Sequence, residues 1–187
     1  AAAPGHISRS KRKIFRGVNY AHRGMHSRDK QIPENSLAAF RKAAENGYGI
    51  ELDVQLSKDG KVVVFHDDTL DRVCGVHARV DDLNWEELSK LRLCGTDEGI
   101  PLFSDALDIL CGAGVPVIVE VKAGPADRIP ALCSRVLSIM DEHEGQMCVE
   151  SFDPRVVRWF RFNAPDLLRG QLIDRTDNPA VSPAVTR

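Results

Sequence analysis

Residues 115–121 read VPVIVEV. A nearly continuous apolar run of this length is what a strand covered on both faces looks like. Such strands belong to parallel sheets with helices packed against them. The rest of the chain agrees, because strand and helix patterns alternate along it. Val18 to His22, Ile50 to Val54, Lys61 to His66, Met147 to Phe152 and Leu168 to Ile173 read as further strands. Asn35 to Asn46 reads as a helix with Leu37, Phe40 and Ala44 on one face and Gly47 as its stop signal. Ser104 to Cys111, Arg128 to Glu142 and Asp153 to Asn163 read as helices too. Residues 67–100 are mixed and polar, with one short helix expected around Trp85, Leu88 and Leu91. The pattern predicts an α/β fold, either an open doubly wound sheet or a closed barrel.

The polar residues choose between these. His22, Glu51 with Asp53, His66, and Glu120 with Lys122 all fall at the ends of strands. Reactive groups at the C-terminal ends of several different strands mark a (β/α)8 barrel. A dinucleotide-binding sheet would carry a glycine-rich turn after its first strand, and HRGMHS is not that turn. The expectation is therefore one barrel domain over residues 18–187, preceded by a basic arm over 1–17. Six strands are legible, whereas a closed barrel needs eight. The last two strands have no counterpart before Arg187, so the natural chain is expected to run on by about 50–70 residues, to the length of a typical barrel. The tail DNPAVSPAVTR then reads as a loop.

Composition excludes several classes. Among 187 residues the formal net charge is −2, which gives no electrostatic support to general nucleic-acid binding. No apolar run is long enough to span a bilayer, and no segment has the apolar core of a signal peptide. Membrane contact would come only through the basic arm (Arg9, Lys11, Arg12, Lys13, Arg16) or a helix upstream of it. The arm has a second reading, as a solvated tail. Cys74, Cys94, Cys111, Cys133 and Cys148 are odd in number and lack CxxC spacing. They read as free thiols of a reducing compartment, hence a cytoplasmic protein.

Side chains alternate faces along a strand, so Glu51 and Asp53 point the same way while Ile50, Leu52 and Val54 point the other. Two carboxylates on one inward face repel, and burying them unpaired is unfavourable. A hard divalent cation such as Mg²⁺ or Ca²⁺ answers both problems, because it takes oxygen ligands. Glu120 could add a third carboxylate and Lys122 a fixed positive charge; a plain Glu–Lys ion pair is the other reading of those two. His22 and His66 beside the carboxylates suggest a general acid and a general base. Arg23 offers a planar fork for a phosphate. His6, His26, His77 and His143 lack such company and read as surface residues.

These residues sit in stretches that resemble the glycerophosphodiester phosphodiesterase family: AHRG, PENSLAAFRKAAENG and IELDVQLSKDGKVVVFHDDTLDR, followed by IPLFSDALDIL, VIVEVK, VESFDP and NAPDLLRGQLI. The resemblance implies a TIM-type barrel with a small insertion after the third strand, over about residues 68–100. It implies His22 and His66 as the acid/base pair, Glu51, Asp53 and Glu120 as ligands to Mg²⁺ or Ca²⁺, and Arg23 and Lys122 on the substrate phosphate. It places Glu34 and Asn35 of the PEN motif close to the site, Glu34 behind the residues that meet substrate. The activity implied is hydrolysis of a small-molecule glycerophosphodiester to glycerol 3-phosphate and an alcohol. Two other readings stay open. One is a sphingomyelinase-D-like phospholipase that releases a cyclic phosphate. The other is a phosphate-binding module without catalysis.

Overall fold

The computed structural model describes residues 9–174, so the DNPAVSPAVTR tail lies outside the described residues. After a short helix α1 (Arg9–Ile14), the chain enters strand β1 (Tyr20–His22) and helix α2 (Leu37–Glu45). Strand β2 (Gly49–Leu56) turns back into β3 (Val62–Val64). Two short helices follow, α3 (Asp71–Cys74) and α4 (Trp85–Leu88). The chain then alternates through α5 (Phe103–Gly112), β4 (Val117–Val121), α6 (Ile129–Asp141), β5 (Met147–Ser151), α7 (Pro154–Asn163) and β6 (Arg169–Gln171). Among the described residues, no helix is long and apolar enough to cross a membrane.

The sheet runs β1-β2-β4-β5-β6, and each of these neighbours pairs in parallel. Strand β3 stands off this path and pairs antiparallel with β2, Val54 opposite Val64 and Leu56 opposite Val62. The arc of a (β/α) barrel therefore contains five parallel strands among the described residues, not the six counted from sequence. The run Lys61 to His66 has the composition of a barrel strand, but Ser57 and Gly60 close a tight turn and send it back along β2. Ser57 Oγ accepts from Lys61 N at 2.8 Å, Gly60 N donates to Ser57 O at 3.0 Å, and Gly60 has φ +80°. The insertion does follow the third strand of the chain, but that strand belongs to the excursion rather than to the barrel.

The main core lies between the outer face of the sheet and the helices. It gathers Ile50, Leu52 and Val54 of β2, Val117, Val119 and Val121 of β4, and residues from α2, α5, α6 and α7. Helix α2 starts where Ser36 caps it, its hydroxyl accepting from Ala39 N at 3.1 Å. Ala39, Phe40 and Ala43 are its fully buried residues, with Leu37 and Ala44 only partly covered. The face is thus turned slightly from the expected one, because two alanines allow the helix to lie close to its neighbours. The insertion has its own small core of Val63, Phe65, Leu70, Val73, Val80, Leu88, Leu93 and Ile100. Leu91 lies beyond α4 and packs against this second cluster from a loop. Helix α3 was not legible, since its single apolar turn lacks a periodic repeat. His143 is another departure. Its side chain is 12% exposed and ties the end of α6 to α5, through Ile139 O at 2.7 Å and Asp108 at 3.2 Å.

The turn after β1 is tight against α2. A Cβ at Gly24, where φ is +78°, would fall 2.8 Å from Ala39 Cβ and 3.0 Å from Phe40 Cδ1. At Gly17 φ is +75° but nothing lies within 4 Å. Gly17→Ala should therefore suffer only the left-handed backbone strain, about 1–2 kcal/mol. Gly24→Ala adds overpacking, about 1–3 kcal/mol more. Chemical denaturation of the two variants measures the difference, and equal losses would show that the turn is free to move off the helix.

Candidate active site

Every residue of β2 is buried, and its two faces differ in kind. Ile50, Leu52 and Val54 enter the core, whereas Glu51, Asp53 and Gln55 face the interior of the arc. Parallel pairing then sets Glu120 beside Asp53 and Glu150 beside Glu120. Carboxylate oxygens of Glu51, Asp53 and Glu120 lie within 4.8 Å of one another, all three residues buried. Burial, with the Asp53 charge next in weight, pushes the Glu51 carboxyl up to about 8. Lys122 is the nearest counter-charge from the strand ends, its Nζ 2.9 Å from Glu120 Oε1 and 3.7 Å from Asp53 Oδ1.

The loop before α2 wraps the other side of the cluster. Asn35 has φ +54°, a conformation asparagine tolerates better than most residues. That turn aims its amide Nδ2 at Asp53 Oδ2, 2.9 Å away, while its backbone N donates to Arg23 O at 2.9 Å. Arg23, also at positive φ (59°), donates from its backbone N to Glu51 Oε2 at 3.2 Å. Its guanidinium Nη1 donates to Glu34 Oε1 at 2.9 Å, and its Nε stands 3.5 Å from Asp53 Oδ2. Much of the Arg23 fork is therefore committed to carboxylates of the protein itself.

Three buried atoms in this cluster have no hydrogen-bond partner: Asp53 Oδ1, Asn35 Oδ1 and Arg23 Nε. Two of the three are acceptors, sitting among three carboxylates. Acceptors without donors in a buried acidic cluster fit a hard cation bound through oxygen. The donor set is right for that purpose: carboxylate oxygen throughout, with no thiolate and no imidazole in the triad.

The two histidines overlook the carboxylates. His22 ends β1 in register with Glu51, its Nε2 3.9 Å from Glu51 Oε2 and its side chain 67% exposed. Partial burial and the adjacent Arg23 lower its pKa, against the smaller opposing pull of the Asp53 charge. His66 arrives by the antiparallel return of β3. The backbone N of Phe65 donates to Asp53 O at 3.0 Å, which brings the next residue back to the level of the acidic cluster. His66 Nδ1 is 2.6 Å from Asp67 Oδ1. Hydrogen bonds from Arg72, the largest influence, hold Asp67 down to about 2, so Asp67 is an acceptor and the proton sits on Nδ1. Arg72, again the largest influence, and Arg23 hold Glu34 down to about 2 in the same way.

All nine residues singled out from sequence thus meet in one place, at the C-terminal ends of β1 and β4, on the inner face of β2 and in the adjoining loops. Glu51 and Asp53 lie within β2 rather than at its end, because the strand runs on to Leu56 to pair with β3. Four others were missed. Gln55 continues the two-residue spacing of Glu51 and Asp53, and its Nε2 donates to Phe65 O and Asp67 O, both at 2.9 Å. Asp67 and Arg72 carry no sequence signal, because their roles depend on a chain reversal. Glu150 had one: VES ends its strand as VEV ends β4. Burial first, then Glu120 and Asp53, push its carboxyl up to about 7.

The raised carboxyls predict a pH effect whose sign follows from proton linkage. Glu51 and Glu150 ionise at about 8 and about 7 in the folded protein, against an ordinary value of 4.5. Between those limits these two groups hold more protons in the folded state than in the unfolded chain, so their contribution to stability is fully present below 4.5 and is lost as pH rises towards 8. Cations bind the deprotonated ligands. In chelator, Tm should therefore fall across this range, and the rise in Tm on adding Mg²⁺ or Ca²⁺ should grow with pH. A cation effect that does not change with pH would separate these carboxyls from cation binding.

Comparison with known proteins places the chain in a family. The glycerophosphoryl diester phosphodiesterase family model matches residues 22–185. A glycerophosphodiester phosphodiesterase of Caldanaerobacter subterraneus is 35% identical, over 81% of this chain and 65% of its own length. Glycerophosphodiester phosphodiesterase 1 of Mus musculus is also 35% identical, over 73% of this chain and 43% of its own. The chain therefore spans less than two thirds of these relatives. Among solved structures, an Oleispira antarctica phosphodiesterase in complex with the product sn-glycerol-3-phosphate superposes with a TM-score of 0.78 at 26% identity, covering 86% of this chain and 67% of that one. Nearly every residue from His22 onwards lies within the matched span, and the chain belongs to the glycerophosphoryl diester phosphodiesterase family.

Proposed function

We propose that this chain carries the active site of a phosphoric diester hydrolase that cleaves glycerophosphodiesters to glycerol 3-phosphate and an alcohol. The observation that carries this reading is the buried triad Glu51, Asp53 and Glu120 lying beneath two histidines, one ending β1 and the other in the loop after β3. Family membership and the glycerol 3-phosphate bound to the Oleispira relative point to the same substrate class.

Glu51, Asp53 and Glu120 hold one divalent cation, Mg²⁺ or Ca²⁺, which when bound offsets the negative charge on the phosphoryl oxygens. Lys122 adds positive charge from the barrel wall, and Arg23 presents what remains of its fork to the phosphate. Asn35 keeps Asp53 oriented, and Glu34 keeps Arg23 oriented. His22, with its lowered pKa, is the neutral imidazole that accepts the proton of the attacking hydroxyl. His66, its Nδ1–H turned onto Asp67, takes up a second proton at Nε2 from solvent and gives that proton to the leaving alcohol oxygen, returning to its neutral Nδ1–H form. The attacking hydroxyl is water or a neighbouring hydroxyl of the glycerol itself. In the second case a cyclic phosphate forms first and is then opened by water. The five cysteines are all free, which supports a reducing, cytoplasmic setting.

The test is an end-point assay for glycerol 3-phosphate over glycerophosphodiesters with different alcohol groups. Turnover should vanish in excess chelator and return with Mg²⁺ or Ca²⁺. Full activity in chelator would remove the cation from the reading. A cyclic phosphate as the final product from choline lipids would favour the phospholipase alternative, and affinity without turnover would favour a binding module. His22→Ala and His66→Ala should each lower kcat by about 10²–10⁴-fold. Both side chains sit at a solvated rim, so Tm should hardly move. Near-normal turnover in either variant would take that histidine out of the proton transfers.

A further inference from the structure

Arg72 lies outside the barrel, on the single turn of α3 within the insertion, and it is 48% exposed. An exposed arginine on a surface turn ordinarily makes loose contacts of little consequence. This one makes four hydrogen bonds to two carboxylates. Nε donates to Asp67 Oδ2 at 2.6 Å and Nη2 to Asp67 Oδ1 at 2.9 Å. Nη1 donates to Glu34 Oε2 at 2.9 Å and Nη2 to Glu34 Oε1 at 2.7 Å. Both carboxylates are thus gripped by two donors each. Each also touches a residue of the site: Asp67 Oδ1 meets His66 Nδ1 at 2.6 Å, and Glu34 Oε1 accepts from Arg23 Nη1 at 2.9 Å. One guanidinium closes a path from His66 on one loop to Arg23 on the other.

We propose that Arg72 is a positioning residue for the hydrolysis: it fixes Asp67 in the plane that keeps the His66 proton on Nδ1 and turns Nε2 into the site. The inference rests on the proton-transfer role given to His66 above. The geometry explains why the insertion begins where it does. Asp67 is a loop residue, and its side chain would be free to rotate if only the histidine held it. Two further donors from a planar fork remove that freedom, and a lysine, with its donors on one nitrogen, cannot match the two carboxylate oxygens in the same plane. The same fork holds Glu34, so it reaches Arg23 by the same route and joins the insertion to the loop before α2.

The experiment uses the full chain, with Arg72→Ala, Arg72→Lys and, as a control in the same insertion, Lys90→Ala. Among the described residues, the Lys90 side chain pairs with Glu86, an exposed residue one turn away. Two readouts are taken: kcat and KM on a glycerophosphodiester with the activating cation present, and the imidazole ¹⁵N shifts of His66. Arg72→Ala should lower kcat by about 10–100-fold with little change in KM, the range found when a group that orients a reacting residue is lost. Its His66 spectrum should move from a single Nδ1–H form towards a mixture of tautomers. Added guanidinium ion should recover part of the lost kcat, and Arg72→Lys should fall between the two. Lys90→Ala should match the native protein in both readouts. Native kcat in Arg72→Ala, or a His66 spectrum unmoved in both Arg72 variants, would overturn the proposal and leave Arg72 a tether. If Arg72→Ala does not fold, Arg72→Lys decides by the same two measures. A native protein with no turnover on any glycerophosphodiester would refute the function proposed above, while the ¹⁵N spectra would still decide whether Arg72 sets the tautomer.

Discussion

Strand β2 is buried from end to end, yet its inner face is acidic, and much of the site is arranged to make that tolerable. A carboxylate taken out of water unpaired is strongly disfavoured, and three sharing one volume are worse. The protein answers with an amide from Asn35, a backbone N–H and guanidinium from Arg23, and the ammonium of Lys122. These groups come from three different segments and all converge on Glu51, Asp53 and Glu120. Even so, acceptors stay unfilled and Glu51 is pushed towards its protonated form. The fold supports this acidic face by putting aliphatic residues on the other side of the same strand, where they lock it into the main core.

The rim above the cluster is built from loops, as in barrels generally, where reacting groups sit at the C-terminal ends of the strands. Here the loops are unusually tied. Arg23 and Asn35 both adopt positive φ, a strain of about 1–3 kcal/mol each. They are held there by the backbone bond from Asn35 N to Arg23 O, by that from Arg23 N to Glu51 O, and by their contacts with buried carboxylates. On the opposite side the β2–β3 hairpin overshoots the barrel and returns, so a residue sixteen positions of sequence away from Ile50 comes back above Glu51 and Asp53. Gln55 secures that return from below and Arg72 from outside. The insertion therefore has two tasks. Its own small core makes it rigid, and its first turn delivers a guanidinium to the rim.

Much of this was legible in the residues themselves. Alternation of strands and helices follows from local periodicity, which the chain carries almost everywhere. The shared face of Glu51 and Asp53 follows from the two-residue repeat of any strand. Both are local properties, so no tertiary knowledge is needed to read them. The error over β3 was of the opposite kind. A β-branched run has the same composition whether it pairs parallel or antiparallel, and only the turn before it decides which. Glu150 was within reach by the same reading that found Glu120. Its single carboxylate, with no second polar residue two positions away on the same strand, gave too weak a pattern.

The chain's own order of residues determined the strands, the helices and the acidic face of β2, because each depends on neighbours a few positions apart. Tertiary structure alone decided which carboxylates share a volume, since Glu120 reaches Asp53 only through the register of two strands far apart in sequence. It also decided the tautomer of His66 and the grip of Arg72. Those depend on distances between loops, and loops have no periodicity from which a distance could be read.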